Sequence, residues 1–191
     1  MRVITLALLN VLLIAPASSE DISGQFAIKG IGKLSCREFI EAKDNGESSY
    51  LQFGGWIEGF LSASNKHLNQ TYDIAPWQTT ETIATIAYTA CKKNQDAGFA
   101  GVINEVSRHL IEGALNERSE TIRLSRGKYS VSLPTKVHQN AKKRLKSLGF
   151  LQDTTSELEV QDALLRYQIS KNLPQTGLPD QYTLWNLLKG E

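Results

Sequence analysis

The residues that could carry chemistry in this chain include one His with two carboxylates on a predicted helix. Glu105, His109 and Glu112 follow one another at spacings of four and three residues, so all three lie on one side of that helix. A His with two carboxylates is a ligand combination that binds zinc in other proteins. Here the three side chains point away from the apolar stripe of their helix, as on a solvated face. We therefore expect neither a metal site nor a cofactor.

Two further positions could serve a hydrolase. His67 lies near Asp73 and several serines, but no sequence of the kind that surrounds a nucleophilic serine is present. Glu58 lies among Trp56, Phe60 and three glycines, where burial could make it a general acid. A wall-degrading enzyme needs a second carboxylate or a set of zinc ligands, and the sequence offers neither. We expect no catalytic residues and a protein that is not an enzyme.

The first 19 residues have the pattern of a secretory signal peptide. Arg2 precedes an apolar run from Val3 to Ile14, and small residues follow at Ala15–Pro16–Ala17. The run is shorter than the roughly 20 residues that a membrane-spanning helix requires. We expect cleavage, export to the periplasm or the exterior, and no membrane span afterwards.

Export would bring the two cysteines into an oxidising compartment. Cys36 and Cys91 are then expected to form one intramolecular disulfide bond, because two cysteines allow a single pairing. A redox role would call for a close-spaced Cys-x-x-Cys pair, which is missing.

Capping patterns and apolar spacing predict an all-α chain of two domains. The first, residues 20–115, is a disulfide-stapled bundle of four helices, and the Ser35-x-x-Glu38 capping box marks the start of its first helix. A polar and basic linker is expected over residues 116–133, with a short strand at 129–133. The second domain, residues 134–191, has three helices, which are expected to begin at Pro134, after Ser156 and after Asp180.

The charge balance argues against a nucleic-acid partner, and the aromatic residues suggest where a protein could bind. The chain has 21 Lys and Arg residues against 20 Asp and Glu residues, so it has no positive field to hold a nucleic acid. Trp77 follows Pro76 in a polar loop, and we expect it to be partly exposed and to contact a protein partner. Trp56 and Trp185 lie beside apolar stripes and are expected in the core.

Three blocks of the second half occur in the order found in a known module. They are LKSLGF at 145–150, ALLRYQ at 163–168 and LPQTGLPD at 173–180, followed by the helix Thr183–Leu187. The segment resembles the bacterial peptidoglycan-binding-like domain. It departs from that family at Lys142, where the family has Gln, and in the loop 153–160, which lacks glycine. The resemblance implies a three-helix fold and glycan binding in a groove between helices, with Phe150, Tyr167 and Gln168 as candidate contacts. The alternative is that these residues lie in the core, and for Tyr167 the core position is favoured.

The first half more weakly resembles two groups of exported helical proteins. Its matching residues are SCREFI at 35–40, FGGWIEGF at 53–60 and ACKKN at 90–94. They are similar to HdeA-type acid-stress chaperones and to Rap1a/Tai immunity proteins, which are helical and tied by one disulfide. The two resemblances together imply a non-enzymatic cell-envelope protein that binds peptidoglycan through its second domain and another periplasmic protein through its first. The alternative is a periplasmic acid-stress chaperone or a toxin-neutralising immunity protein.

Overall fold

The computed structural model describes residues 26–153 and 156–188 of the 191-residue chain. The predicted signal peptide, residues 1–19, lies outside this part. The described residues form seven α-helices and one two-stranded antiparallel sheet. The chain is therefore mostly helical, and the expectation that it is strictly all-α is wrong. None of the described helices is both long and apolar enough to cross a membrane.

Four helices and two single 3-10 turns build the first half. Ser35 accepts a hydrogen bond from the backbone of Glu38 while the Glu38 side chain accepts one from the Ser35 backbone, so the predicted capping box is confirmed. Thr79 caps the third helix in the same half through the Thr82 amide. The 3-10 turns lie at Gly30–Lys33 and Ile111–Gly113, and the helices are α1 Cys36–Asp44, α2 Ser49–His67, α3 Thr80–Lys93 and α4 Phe99–Leu110.

The core of the first half is built around an aromatic cluster and the disulfide. Phe39, Phe53 and Phe99 are buried, with Phe99 4.7 Å from each of the other two rings. Cys36 and Cys91 are bonded, so the predicted disulfide is confirmed, and it joins the start of α1 to the last turn of α3. The two residues are 55 positions apart, and a loop of that length corresponds to about 4 kcal/mol in the chain-entropy model.

A β-hairpin lies where the sequence predicts a linker. Strand β1, Thr121–Arg126, pairs in antiparallel register with β2, Tyr129–Pro134, and Gly127 turns the chain with a φ of +57°. The strand expected at 129–133 is therefore present, and its partner strand was missed. Leu124 and Leu133 are buried in the core of the second half, so the hairpin packs on that half.

Three helices complete the second half: α5 Thr135–Ser147, α6 Glu157–Ser170 and α7 Gln181–Leu188. Ser156 caps α6 through the Glu159 amide. Asp180 accepts a hydrogen bond of 2.9 Å from the Thr183 amide at the start of α7. Both caps agree with the sequence prediction.

The loop between α2 and α3 belongs to the first half and packs against the second. Trp77 comes from this loop, yet its side chain is buried in the core of the second half. Its ring lies edge-on to that of Trp185 on α7, with 6.4 Å between the ring centroids. Gln181, at the start of α7, accepts hydrogen bonds from the Thr79 amide and the Thr82 hydroxyl and donates one to the Trp77 carbonyl.

Ion pairs connect α1 to α3 on the surface of the first half. Lys43 donates to Glu81 at 2.6 Å, and that hydrogen bond is the main reason why the pKa of Glu81 is lowered. Asp44 accepts from Tyr88 at 2.7 Å and pairs with Lys92 at 3.3 Å, and the Tyr88 hydrogen bond is the largest cause of its lowered pKa. These carboxylates hold protons more weakly in the folded chain than in the unfolded chain.

The first half should therefore lose stability in acid. Lowered carboxylate pKa values contribute stability that is complete above the ordinary value, which is 4.5 for Glu81, and that is lost as the pH falls through the folded value. We expect the free energy of unfolding, measured with urea, to decline below that pH. Glu81→Gln should cost about 0.5–1 kcal/mol at neutral pH, because the Glu81 side chain is largely exposed, and should weaken the decline in acid. Glu112→Gln is the control, and a similar effect from both variants would contradict the assignment to the Glu81 pair.

Candidate functional site

Gln168, expected to contact glycan, is a buried structural residue with no exposed surface. Its side-chain nitrogen donates to the Thr176 hydroxyl at 3.0 Å, the Leu178 carbonyl at 2.9 Å and the Thr183 hydroxyl at 2.8 Å. Its side-chain oxygen accepts from the Gly177 amide at 2.7 Å. The nitrogen has two N–H groups for three acceptors, so at least one N–H is shared between two of them. Together with the bond that the oxygen accepts, these contacts fix the turn before α7. The prediction of direct glycan contact is wrong for this residue, because no ligand can reach it.

Tyr167 is also buried, with 1% of its surface exposed, which agrees with the core position favoured for it from the sequence and not with a direct glycan contact. Burial raises the pKa of Tyr167, as expected for a phenol removed from water. Its ring lies at 88° to that of Phe150, with centroids 5.4 Å apart. Phe150 is half-buried and is the one expected glycan contact that lies at the surface.

Phe150 borders an open groove between the end of α5 and the exposed side of α6. We call this surface the Phe150 groove. Its volume is about 460 Å³, and it is lined by Gly149, Phe150, Leu151, Gln152, Glu159, Asp162 and Arg166.

Charged side chains of α6 occupy fixed positions in the Phe150 groove. Arg166 donates from Nη2 to the Phe150 carbonyl at 2.8 Å, so its guanidinium spans the groove edge. Asp162 accepts from Nη2 of Arg126 on β1 at 2.8 Å. Arg126 lies directly over Gly177, where an added Cβ would come within 2.7 Å of the Arg126 Cδ atom. Through Arg126, the hairpin therefore contacts both the Phe150 groove and the turn that contains Gly177.

A second, larger groove lies where α7 meets α3 and α4. We call it the Trp185 groove. It has one lobe of about 520 Å³ and another of about 290 Å³, and Ile86, Ala90 and Trp185 line both. The larger lobe is completed by Glu81, Thr82, Thr85, Thr89, Lys93, Gln181 and Tyr182, and the smaller by Val102, Glu105, Val106, His109 and Leu110.

The two tryptophans at this junction have roles opposite to those expected. Trp77 is 8% exposed, so the prediction of a partly exposed residue is wrong. Trp185 is 39% exposed, so the prediction of a core residue is wrong as well. Trp77 fills the core of the second half, and Trp185 packs edge-on to it and lines the groove.

The residues considered as a general acid or as metal ligands make ordinary surface contacts in the structure. Glu58 is exposed and accepts a hydrogen bond of 2.6 Å from Thr80. Glu105 pairs with its helix neighbours Arg108 and His109. Across residues 26–153 and 156–188, no three His, Cys, Asp or Glu side chains lie together as metal ligands would.

Substitution of Gln168 tests its structural role. Gln168→Leu leaves the Gly177 amide and the buried groups around Thr183 without their partner, and each unsatisfied buried group costs about 1–3 kcal/mol. We expect urea unfolding to show a loss of about 3 kcal/mol. Gln175→Leu, an exposed glutamine in the same turn, is the control. A Gln168→Leu protein as stable as the control would contradict the structural role.

Comparisons with known proteins assign the chain to no family. It matches no family model, no curated protein and no solved structure. The likeness of each half to a known module therefore stays a prediction from sequence motifs.

Proposed function

We propose that the chain is a non-enzymatic cell-envelope protein that binds peptidoglycan through the Phe150 groove of its second half. The observation that carries this proposal is the guanidinium of Arg166, which the Phe150 carbonyl holds across the groove edge. An aromatic ring and two carboxylates accompany it in the same open groove. The sequence motifs that resemble the peptidoglycan-binding-like domain support the same ligand.

The chemistry of the Phe150 groove is complementary to that of the polymer. Peptidoglycan presents carboxylates and amines on its peptides, and hydroxyl and amide groups with apolar ring faces on its sugars. Among the described residues, Arg166 uses one of its five N–H donors, and the others are available for a carboxylate. Glu159 is exposed and suits an amine, and the half-buried ring of Phe150 suits the apolar face of a sugar.

Binding at this groove should be weak for a single site. Its charged side chains are largely exposed, and an exposed charge pair contributes about 0.2–1 kcal/mol. An insoluble polymer repeats the same site many times along each strand, so a released protein rebinds nearby. Retention on the polymer is therefore a better measurement than affinity for a soluble fragment.

Sedimentation with purified, insoluble peptidoglycan tests the proposal on the full chain. We expect the wild-type protein to pellet with the polymer, and Arg166→Ala to reduce the bound fraction at low salt by about fivefold. Lys171→Ala removes an exposed cation just beyond α6, outside the groove, and should pellet as wild type does.

Two results would contradict the proposal. The first is a wild-type protein that stays in the supernatant. The second is an equal loss of binding in the Arg166 and Lys171 variants, which would indicate general attraction of the cations to the polymer.

The proposal also includes a protein partner for the first half. Trp77 cannot carry that contact, because its side chain is buried between the halves. The large exposed apolar side chains that the described part of the first half offers instead are Phe26, Leu51, Leu68, Tyr72 and Ile111.

A second candidate function is an acid-stress chaperone. The observation that favours it is that the two ion pairs between α1 and α3 involve Asp44 and Glu81, whose pKa values are lowered. Protonation of these carboxylates weakens the first half in acid, which would release its apolar core to bind other unfolding proteins. The urea titration described for Glu81→Gln bears on this candidate as well, since a first half that keeps its full stability in acid contradicts it.

A further inference from the structure

The polar atoms along the α3 side of the Trp185 groove are already hydrogen-bonded within the protein. The Thr82 hydroxyl donates to Gln181 at 2.8 Å. The Thr89 hydroxyl donates to the Thr85 carbonyl at 3.0 Å. The carboxylate of Glu81 is held by Lys43 and other donors. A ligand in this lobe therefore finds few open donors or acceptors.

Most of the remaining surface of the groove is apolar. Ile86 and Ala90 form the part shared by both lobes, and Trp185 lies against them. The smaller lobe continues between α3 and α4 over Val102 and Val106. On its rim, Glu105 is paired with Arg108 and His109 of its own helix.

These properties exclude several classes of ligand. A sugar or an extended peptide would bring many polar groups into the groove, and these find few partners there, which opposes binding. A hydrocarbon chain needs no hydrogen bonds, is thin enough for both lobes and gains affinity with every methylene that it buries.

Lys93 adds a charge preference at one end of the groove. It is exposed, lines the larger lobe, and has no ion-pair partner among the described residues. Its neighbour Lys92 is instead paired with Asp44 at 3.3 Å and lies over the Tyr88 ring. An anionic group beside Lys93 would be the complement of this cation.

We propose that the Trp185 groove binds a single-chain anionic amphiphile of the fatty-acid type, with its hydrocarbon tail over Ile86, Ala90 and Trp185 and its anionic head beside Lys93. The amphiphile site depends only on the groove and its charges. It is independent of peptidoglycan binding, which takes place at the separate Phe150 groove.

Calorimetric titration of the full chain with sodium dodecanoate, below the concentration at which it forms micelles, tests the proposal. We expect saturable binding of one molecule per chain, and weaker binding of dodecyltrimethylammonium, which has the same tail and a cationic head. Lys93→Gln should weaken dodecanoate binding by about fivefold at low salt, whereas Lys92→Gln should leave it unchanged. These two lysines are neighbours at the end of α3, which makes them a matched pair.

A second pair of variants tests the tail. Ile86→Glu puts a charge at the part shared by both lobes and should weaken binding by more than about tenfold. Leu51→Glu changes an exposed leucine on α2 and should have no effect. Thermal melting shows whether each variant is folded, and the lysine pair decides the question if Ile86→Glu is not.

Three results would overturn the proposal. One is the absence of saturable heat with folded wild-type protein, and another is equal weakening by Lys92→Gln and Lys93→Gln. The third is a wild-type dimer in light scattering that Trp185→Ala converts to a monomer, since a second copy of the chain would then cover the groove.

Discussion

The side-chain amide of Gln181 is the contact on which the arrangement of the two halves depends. Its oxygen accepts from the Thr79 amide at 3.2 Å and from the Thr82 hydroxyl at 2.8 Å, and its nitrogen donates to the Trp77 carbonyl. The bond to the Trp77 carbonyl also fixes the loop between α2 and α3, and Trp77 fills the core of the second half. The Trp185 groove exists because α7 is held against α3 in this way.

The two grooves differ in the polarity of their linings and in the residues that hold them in place. The Phe150 groove is polar and rests on Arg126 and Gln168, which brace α6 and the following turn. The Trp185 groove is mostly apolar, because Thr82, Thr89 and Glu81 already make hydrogen bonds within the protein. One chain can therefore offer a charged surface to a polymer and an apolar surface to a hydrocarbon chain without either ligand competing for the other's site.

Local signals in the sequence were enough to predict the helices and the disulfide. They were not enough to predict which side chains are buried and which are exposed. The caps at Ser35, Ser156 and Asp180 were predicted because a cap depends on residues within one turn. Strand β1 was missed because its outward residues are polar and Leu124 alone is buried. The exchange of roles between Trp77 and Trp185 has no local signal, since it is decided by a contact between residues more than 100 positions apart. Gln168 illustrates the same limit: a motif glutamine can be a ligand contact or a buried support, and only its surroundings distinguish the two.

The most direct test of this account is an NMR measurement of nuclear Overhauser effects between the indole protons of Trp77 and Trp185 in the full chain. The edge-on packing of the two rings, with centroids 6.4 Å apart, predicts cross-peaks between them and slow exchange of the Gln181 side-chain amide protons with water. The absence of these cross-peaks, with rapid exchange of the Gln181 amide, would contradict the junction between the halves and the groove that it creates.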